Sequence, residues 1–138
     1  MNKIKLLTLV FLLVGTISAF SQISVTSYST NAFGVSTSKN YELSGEFKSF
    51  FNKGIYDDMT FELSGMYNFK PGIYHRFSIG VGMCCGLGAG LISSVTIPVQ
   101  LEITPLKDFK RLSVVFELAP EFSGDMGMRQ LWGLRYTF

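Results

Sequence analysis

The chain has 138 residues, enough for one domain with a single enclosed interior and too few for two ordinary ones. Apolar residues make up 47% of it and charged residues only 16%, against roughly 25% in an average soluble domain. Such a charge-poor surface suits an apolar solvent better than water, and without a clustered excess of Lys and Arg no nucleic-acid partner is expected.

The chain opens with the three parts of a secretory signal: a basic start at Lys3 and Lys5, an apolar run over residues 6–14, and small residues at Ala19 and Ser21. That run is shorter than the roughly 20 residues a spanning helix needs, so a cleavable Sec-type signal over residues 1–21 is expected in place of an anchor. No Cys lies near the junction, which argues against a lipoprotein anchor. Cleavage after Ser21 would remove two of the twelve basic residues and no acidic ones, leaving ten of each in a mature domain of residues 22–138.

Beyond the signal no helical period appears, and no run approaches the roughly 18 unbroken apolar residues of a transmembrane helix. Period two appears instead. Residues 23–37 are the weakest case, with Val25, Phe33 and Val35 in phase. Next, Tyr41, Leu43 and Phe47 oppose Glu42, Ser44, Glu46 and Lys48, and Phe61, Leu63, Tyr67 and Phe69 oppose Thr60, Glu62, Ser64 and Asn68. Then Ile73, Phe77, Ile79, Val81 and Met83 oppose Tyr74, Arg76, Ser78, Gly80 and Gly82. Val95, Ile97, Val99, Leu101 and Ile103 alternate with Ser94, Thr96, Pro98, Gln100, Glu102 and Thr104. Leu112, Val114, Phe116, Leu118 and Phe122 oppose Ser113, Glu117, Ala119 and Glu121. Last, Met128, Trp132, Leu134, Tyr136 and Phe138 share a face broken only by Gln130, against Arg129, Leu131, Gly133, Arg135 and Thr137. Each segment carries one apolar and one polar face, as a strand does, and turn-rich clusters separate them.

Alternation alone does not say which face looks inward. A soluble barrel turns its polar face to water and fills it with Lys and Glu, whereas here that face mixes a few charges with Gly, Ser, Thr and Ala. Small residues with scattered charges fit a narrow lumen, where opposite charges pair because unpaired burial is costly. The expected lumen charges are Glu42, Glu46, Lys48, Glu62, Arg76, Glu102, Glu117, Glu121, Arg129 and Arg135. Aromatic placement agrees with an outward apolar face. Tyr41, Tyr67, Phe69, Tyr136 and Phe138 gather toward one end of the strands and Phe51, Phe61 and Phe122 toward the other, as in the two interfacial belts of membrane barrels.

The chain end Leu134, Arg135, Tyr136, Thr137, Phe138, alternating and closing on Phe, resembles the C-terminal signature of outer-membrane β-barrel proteins, and Trp132 and Gly133 extend the match. Residues 97–106, IPVQLEITPL, are similar to strand-and-turn sequence in small porin-like members. The resemblance implies an all-β, antiparallel up-and-down transmembrane barrel in the outer membrane of a Gram-negative bacterium. It also implies contact with outer-membrane lipid, and a last strand, marked by Trp132, Leu134, Tyr136 and Phe138, that the barrel-assembly machinery reads during insertion. Bacterial members have even strand numbers. Seven segments are clear, so eight strands are expected, the eighth hidden in residues 23–37 or 83–93. Surface loops are expected at 52–58, 84–93 and 123–127.

Catalytic constellations are absent from this pattern. The only His, His75, falls on the outward face while Ser78 points the other way, so no Ser-His pair forms. One His without a fitting carboxylate cluster does not suggest a metal site. Cys84 and Cys85 are adjacent and not a Cys-x-x-Cys, so two packed free thiols are expected. The glycines between 80 and 90 precede no helix pattern, so they suit curvature and close packing better than a phosphate loop. No cofactor is expected. The reading is a non-enzymatic outer-membrane barrel with a side-chain-filled polar lumen and a structural or interaction role. Its rivals are a narrow porin-like channel for ions or very small solutes, and a soluble periplasmic barrel holding an apolar ligand.

Overall fold

The computed structural model describes residues 22–37, 40–51, 59–86 and 92–138; the expected signal, residues 1–21, and the expected loop at 52–58 lie outside them. The strands are β1 (Ile23–Tyr28), β2 (Ala32–Thr37), β3 (Leu43–Phe51), β4 (Met59–Asn68), β5 (His75–Gly86), β6 (Ser94–Thr96), β7 (Val99–Ile103), β8 (Leu112–Ser123) and β9 (Asp125–Thr137). Every pairing is antiparallel and, with β6 and β7 taken together, links chain neighbours; the exception is β1 with β9, which closes the sheet on itself.

β6 and β7 are one stave. On β5, Gly82 faces Thr96 and Ile79 faces Val99, and on β8, Glu121 faces Thr96 and Leu118 faces Val99, so the register runs through the gap unchanged. The gap falls at Pro98, which has no N–H to give the ladder. Around it the Gly80 amide donates to the Pro98 carbonyl at 2.9 Å and the Ile97 amide to the Pro120 carbonyl at 3.0 Å. Counted as staves the barrel has eight, the expected even number. The eighth comes from residues 23–37, where the chain reverses through 29–31 with Asn31 in the left-handed region at φ 47°. Asn tolerates that conformation at a turn.

Two expected loops are shorter than the sequence suggested. β5 runs on to Gly86, so Cys84 and Cys85 belong to a strand, and β8 and β9 meet at Gly124 alone. The Ser, Gly and Asp of the 123–127 cluster read as a loop, but one glycine at φ 82° reverses the chain, which lets the flanking residues pair as Ser123–Asp125 and Phe122–Met126.

The staves are strongly tilted. Stepping across successive pairs from Ser24 leads to Ser36, Glu46, Ser64, Gly82, Thr96, Glu121 and Gly127. Gly127 lies six residues before Gly133, which faces Tyr28, four residues beyond Ser24, so the circuit closes with a shear of ten residues. With eight staves, that shear gives a tilt of roughly 40° and a lumen about wide enough for side chains to fill. Among the described residues, one rim carries the chain ends with the turns after β4 and β7, and the other carries the turn at 29–31 and the Gly124 turn.

The seam between β1 and β9 is close. A Cβ at Gly133 would collide with the backbone carbonyl of Ser27 and approach Tyr28 Cα at 3.1 Å. Gly133→Val is therefore expected to destabilise the barrel by about 1–3 kcal/mol, because the obstacle is backbone and must itself move. A urea midpoint equal to that of the wild type would show that the seam opens freely.

Candidate functional site

Burial is inverted relative to a soluble domain. The largest fully buried side chains include Arg135, Lys48, Gln100, Glu46, Glu62 and Glu117, while Leu63 and Val81 are each 61% exposed and Trp132 58%. Among the described residues the buried apolar cluster is small: Tyr28, Ala32, Phe50, Val115 and Leu131. Inward Phe50 lies under the Arg129 guanidinium, 4.6 Å from its ring centre.

The centre of the lumen is an ion network in two linked parts. In one, Lys48 Nζ lies 2.9 Å from Glu62 Oε1 and 2.9 and 2.7 Å from the two oxygens of Glu117. Arg129 Nη2 pairs with Glu62 Oε2 and approaches Glu117 Oε1 at 3.5 Å. In the other, Arg135 extends Nη2 to Glu46 Oε1 at 3.0 Å, Nη1 to Glu102 Oε2 at 2.9 Å and Nε to Thr26 Oγ1 at 2.8 Å. Gln100 joins them, its amide donating at 2.6 Å to both Glu46 Oε2 and Glu117 Oε2. Three cations thus meet four carboxylates. Neutral donors supply the difference: Tyr28 Oη to Glu46 at 2.6 Å, Ser113 Oγ to Glu102 at 2.7 Å, and Cys84 Sγ to Glu62 at 3.4 Å. Buried charges are tolerated only when paired and hydrogen-bonded, and each of these is.

Of the ten charges expected in the lumen, Glu46, Lys48, Glu62, Glu102, Glu117, Arg129 and Arg135 are brought together. Glu42, Arg76 and Glu121 do not join them. Glu42 is exposed at the rim that carries the chain ends. Arg76 reaches Asn40 Oδ1 at 3.3 Å near that rim, and Glu121 accepts from Ser94 Oγ at 2.7 Å. Period two identifies the face on which a residue lies, but depth along a tilted stave depends on register, which these three positions do not reveal. Sequence reasoning passed over Tyr28 and Thr26, whose shared parity with Ser24 was the available signal, and placed Gln100 on the polar face without giving it a role in the network.

The other singled-out residues sit as follows. Trp132, Leu134, Tyr136 and Phe138 line the outer face of β9, and Tyr136 stacks edge-on with Phe138 at 5.0 Å. Tyr67, Phe69 and Phe77 continue that aromatic band, at 5.2 and 5.4 Å between rings. His75 is exposed with its ring over Gly72. Cys84 faces the lumen and Cys85 the outside, both as free thiols. Among the described residues no group of three or more His, Cys, Asp or Glu is placed to hold a metal, and no helix is long and apolar enough to cross a membrane.

A closed antiparallel barrel of eight staves, apolar outside and ionic within, is the fold of a small outer-membrane β-barrel. Among solved structures, the chain is similar to the N-terminal β-barrel domain of Pseudomonas aeruginosa OprF, with a TM-score of 0.55 over 85% of this chain and 96% of that one. Identity is 12%, so the likeness concerns the fold alone. No family model and no curated protein matches the chain.

Proposed function

We propose that the chain is an exported, non-enzymatic outer-membrane barrel whose ion-filled centre serves a structural or interaction role. One observation carries the reading: Lys48 and Arg135, 0% and 1% exposed, occupy the interior while large apolar side chains ring the outside. An aqueous protein so built would present a continuous apolar belt to water, whereas in a bilayer the belt is solvated by hydrocarbon. β4 with 10 residues and β5 with 12 have the length a tilted transmembrane strand needs. Among the described residues the centre of the barrel is occupied by paired ions, which disfavours a soluble barrel that holds a greasy ligand there.

The test is gel mobility of the membrane fraction with and without boiling. A folded barrel is expected to shift on heating; recovery in periplasmic fluid without detergent would overturn the proposal. Deleting Phe138 is expected to reduce assembled barrel severalfold if the outward Trp132, Leu134, Tyr136 and Phe138 are read during insertion. Undiminished assembly would remove the assembly machinery as a partner. Planar-bilayer recording is expected to show no unitary current, because the Lys48 and Arg135 clusters fill the bore; a steady conductance would favour the narrow channel.

A further inference from the structure

At the rim that carries the chain ends the lumen widens into a cavity of about 430 Å³. Its floor is Glu102, below which Arg135 is sealed from solvent. Its walls bring Arg76 from β5 together with Lys110 and Arg111 from the turn before β8. Among the described residues only one acidic side chain, that of Glu102, lines it, and that carboxylate is already held by Arg135 and Ser113. Even with a chain-end carboxylate at Phe138 counted, the lining cations outnumber the anions three to two. The Nε of Arg76 is buried without a hydrogen-bond partner among the described residues, and the Arg76 guanidinium is otherwise engaged through Nη2 to Asn40 at 3.3 Å.

We propose that this mouth is a binding site for a phosphate-bearing anion, either free or as the headgroup of an anionic lipid. Cations arriving from two walls match an acceptor with oxygens in several directions, and guanidinium groups bind phosphate oxygens through paired N–H donors. The volume exceeds that of a bare phosphate and falls in the range of small-ligand sites. Ile73 and Tyr74 at the edge give the cavity an apolar margin, suited to the carbon part of a phosphate ester. Free cations are turned away by the same charge. The site lies over the central network, touching it through Glu102, and needs only the closed barrel.

The test uses the whole mature chain refolded in zwitterionic micelles, titrated with inorganic phosphate and followed by amide chemical shifts, with sodium acetate and sodium chloride as controls. Saturable shifts at the mouth are expected with phosphate only. Arg76→Gln, and separately the double variant Lys110→Gln with Arg111→Gln, should weaken binding roughly tenfold or more, the order expected for losing charge-assisted hydrogen bonds. Heat-shifted gel mobility checks that each variant is folded, and the exposed Lys110 and Arg111 keep the test usable should Arg76→Gln misfold. Nanodiscs with and without phosphatidylglycerol distinguish the two sources: perturbation of the same residues by the lipid assigns the headgroup, and perturbation by inorganic phosphate alone assigns the free anion. Absence of saturable binding to both, equal binding of acetate, or affinities unchanged in folded variants would overturn the proposal.

Discussion

Arg135→Ala is expected to destabilise the refolded barrel by about 3–5 kcal/mol, because removing one partner of a buried ion group strands the others. Glu46 and Glu102 would each lose a charged donor at 3.0 and 2.9 Å, and Thr26 its contact with Nε. Urea unfolding in lipid vesicles measures the loss through Trp132, the single tryptophan of the chain. Combining Arg135→Met with Glu46→Gln and Glu102→Gln should recover much of it, since replacing a whole buried ion group by neutral side chains is often harmless. A loss under about 1 kcal/mol for the single variant would mean that water reaches the carboxylates and the network does little to hold the staves.

Leu63→Arg separates the membrane reading from the soluble one most sharply. Leu63 lies in mid-β4, facing outward between Phe47 and Met83, and is 61% exposed. On a protein in water, a substitution at so open a site changes stability within about 0.5 kcal/mol. On a bilayer-embedded barrel, Arg at the midplane costs about 2–4 kcal/mol, and near the interface about 0–1 kcal/mol. The expected result is a large loss for Leu63→Arg in vesicles and a small one for Leu106→Arg at the rim. Equal, small effects would place the outer face in water.

Much of the fold is legible in the order of residues. The alternation at Val95, Ile97, Val99, Leu101 and Ile103, and again along β8 and β9, is visible because one face of each strand meets a different medium from the other. The β1–β2 hairpin is harder to see, since Ser, Thr and Gly on both sides weaken the contrast and Asn31 alone signals the reversal. The loops at 84–93 and 123–127 mislead for a related reason. Glycines and small polar residues mark turns in water-soluble proteins, but in a narrow barrel they also fill inward positions of regular strand, as Gly82 and Gly133 do.

The candidate site is legible by face and not by partner. Glu46, Lys48, Glu62, Glu117 and Arg135 each fall on the polar alternation of their own strand, which places them inside, and charge balance says they must pair. Which pairs form depends on the shear: a ten-residue offset around eight staves brings Lys48 of β3 to Glu117 of β8, 69 positions away, and Arg135 of β9 to Glu46 of β3. The basic mouth joins Arg76 to Lys110 and Arg111 across the same tilt. The order of residues by itself determined that the chain forms strands and which side chains share a face, because alternation is local and repeats every two residues, and the small, sparsely charged polar face marked the side that looks toward the centre. Depth, pairing and the cavity at the rim were decided only by closure of the sheet, since the register that sets them belongs to all eight staves together.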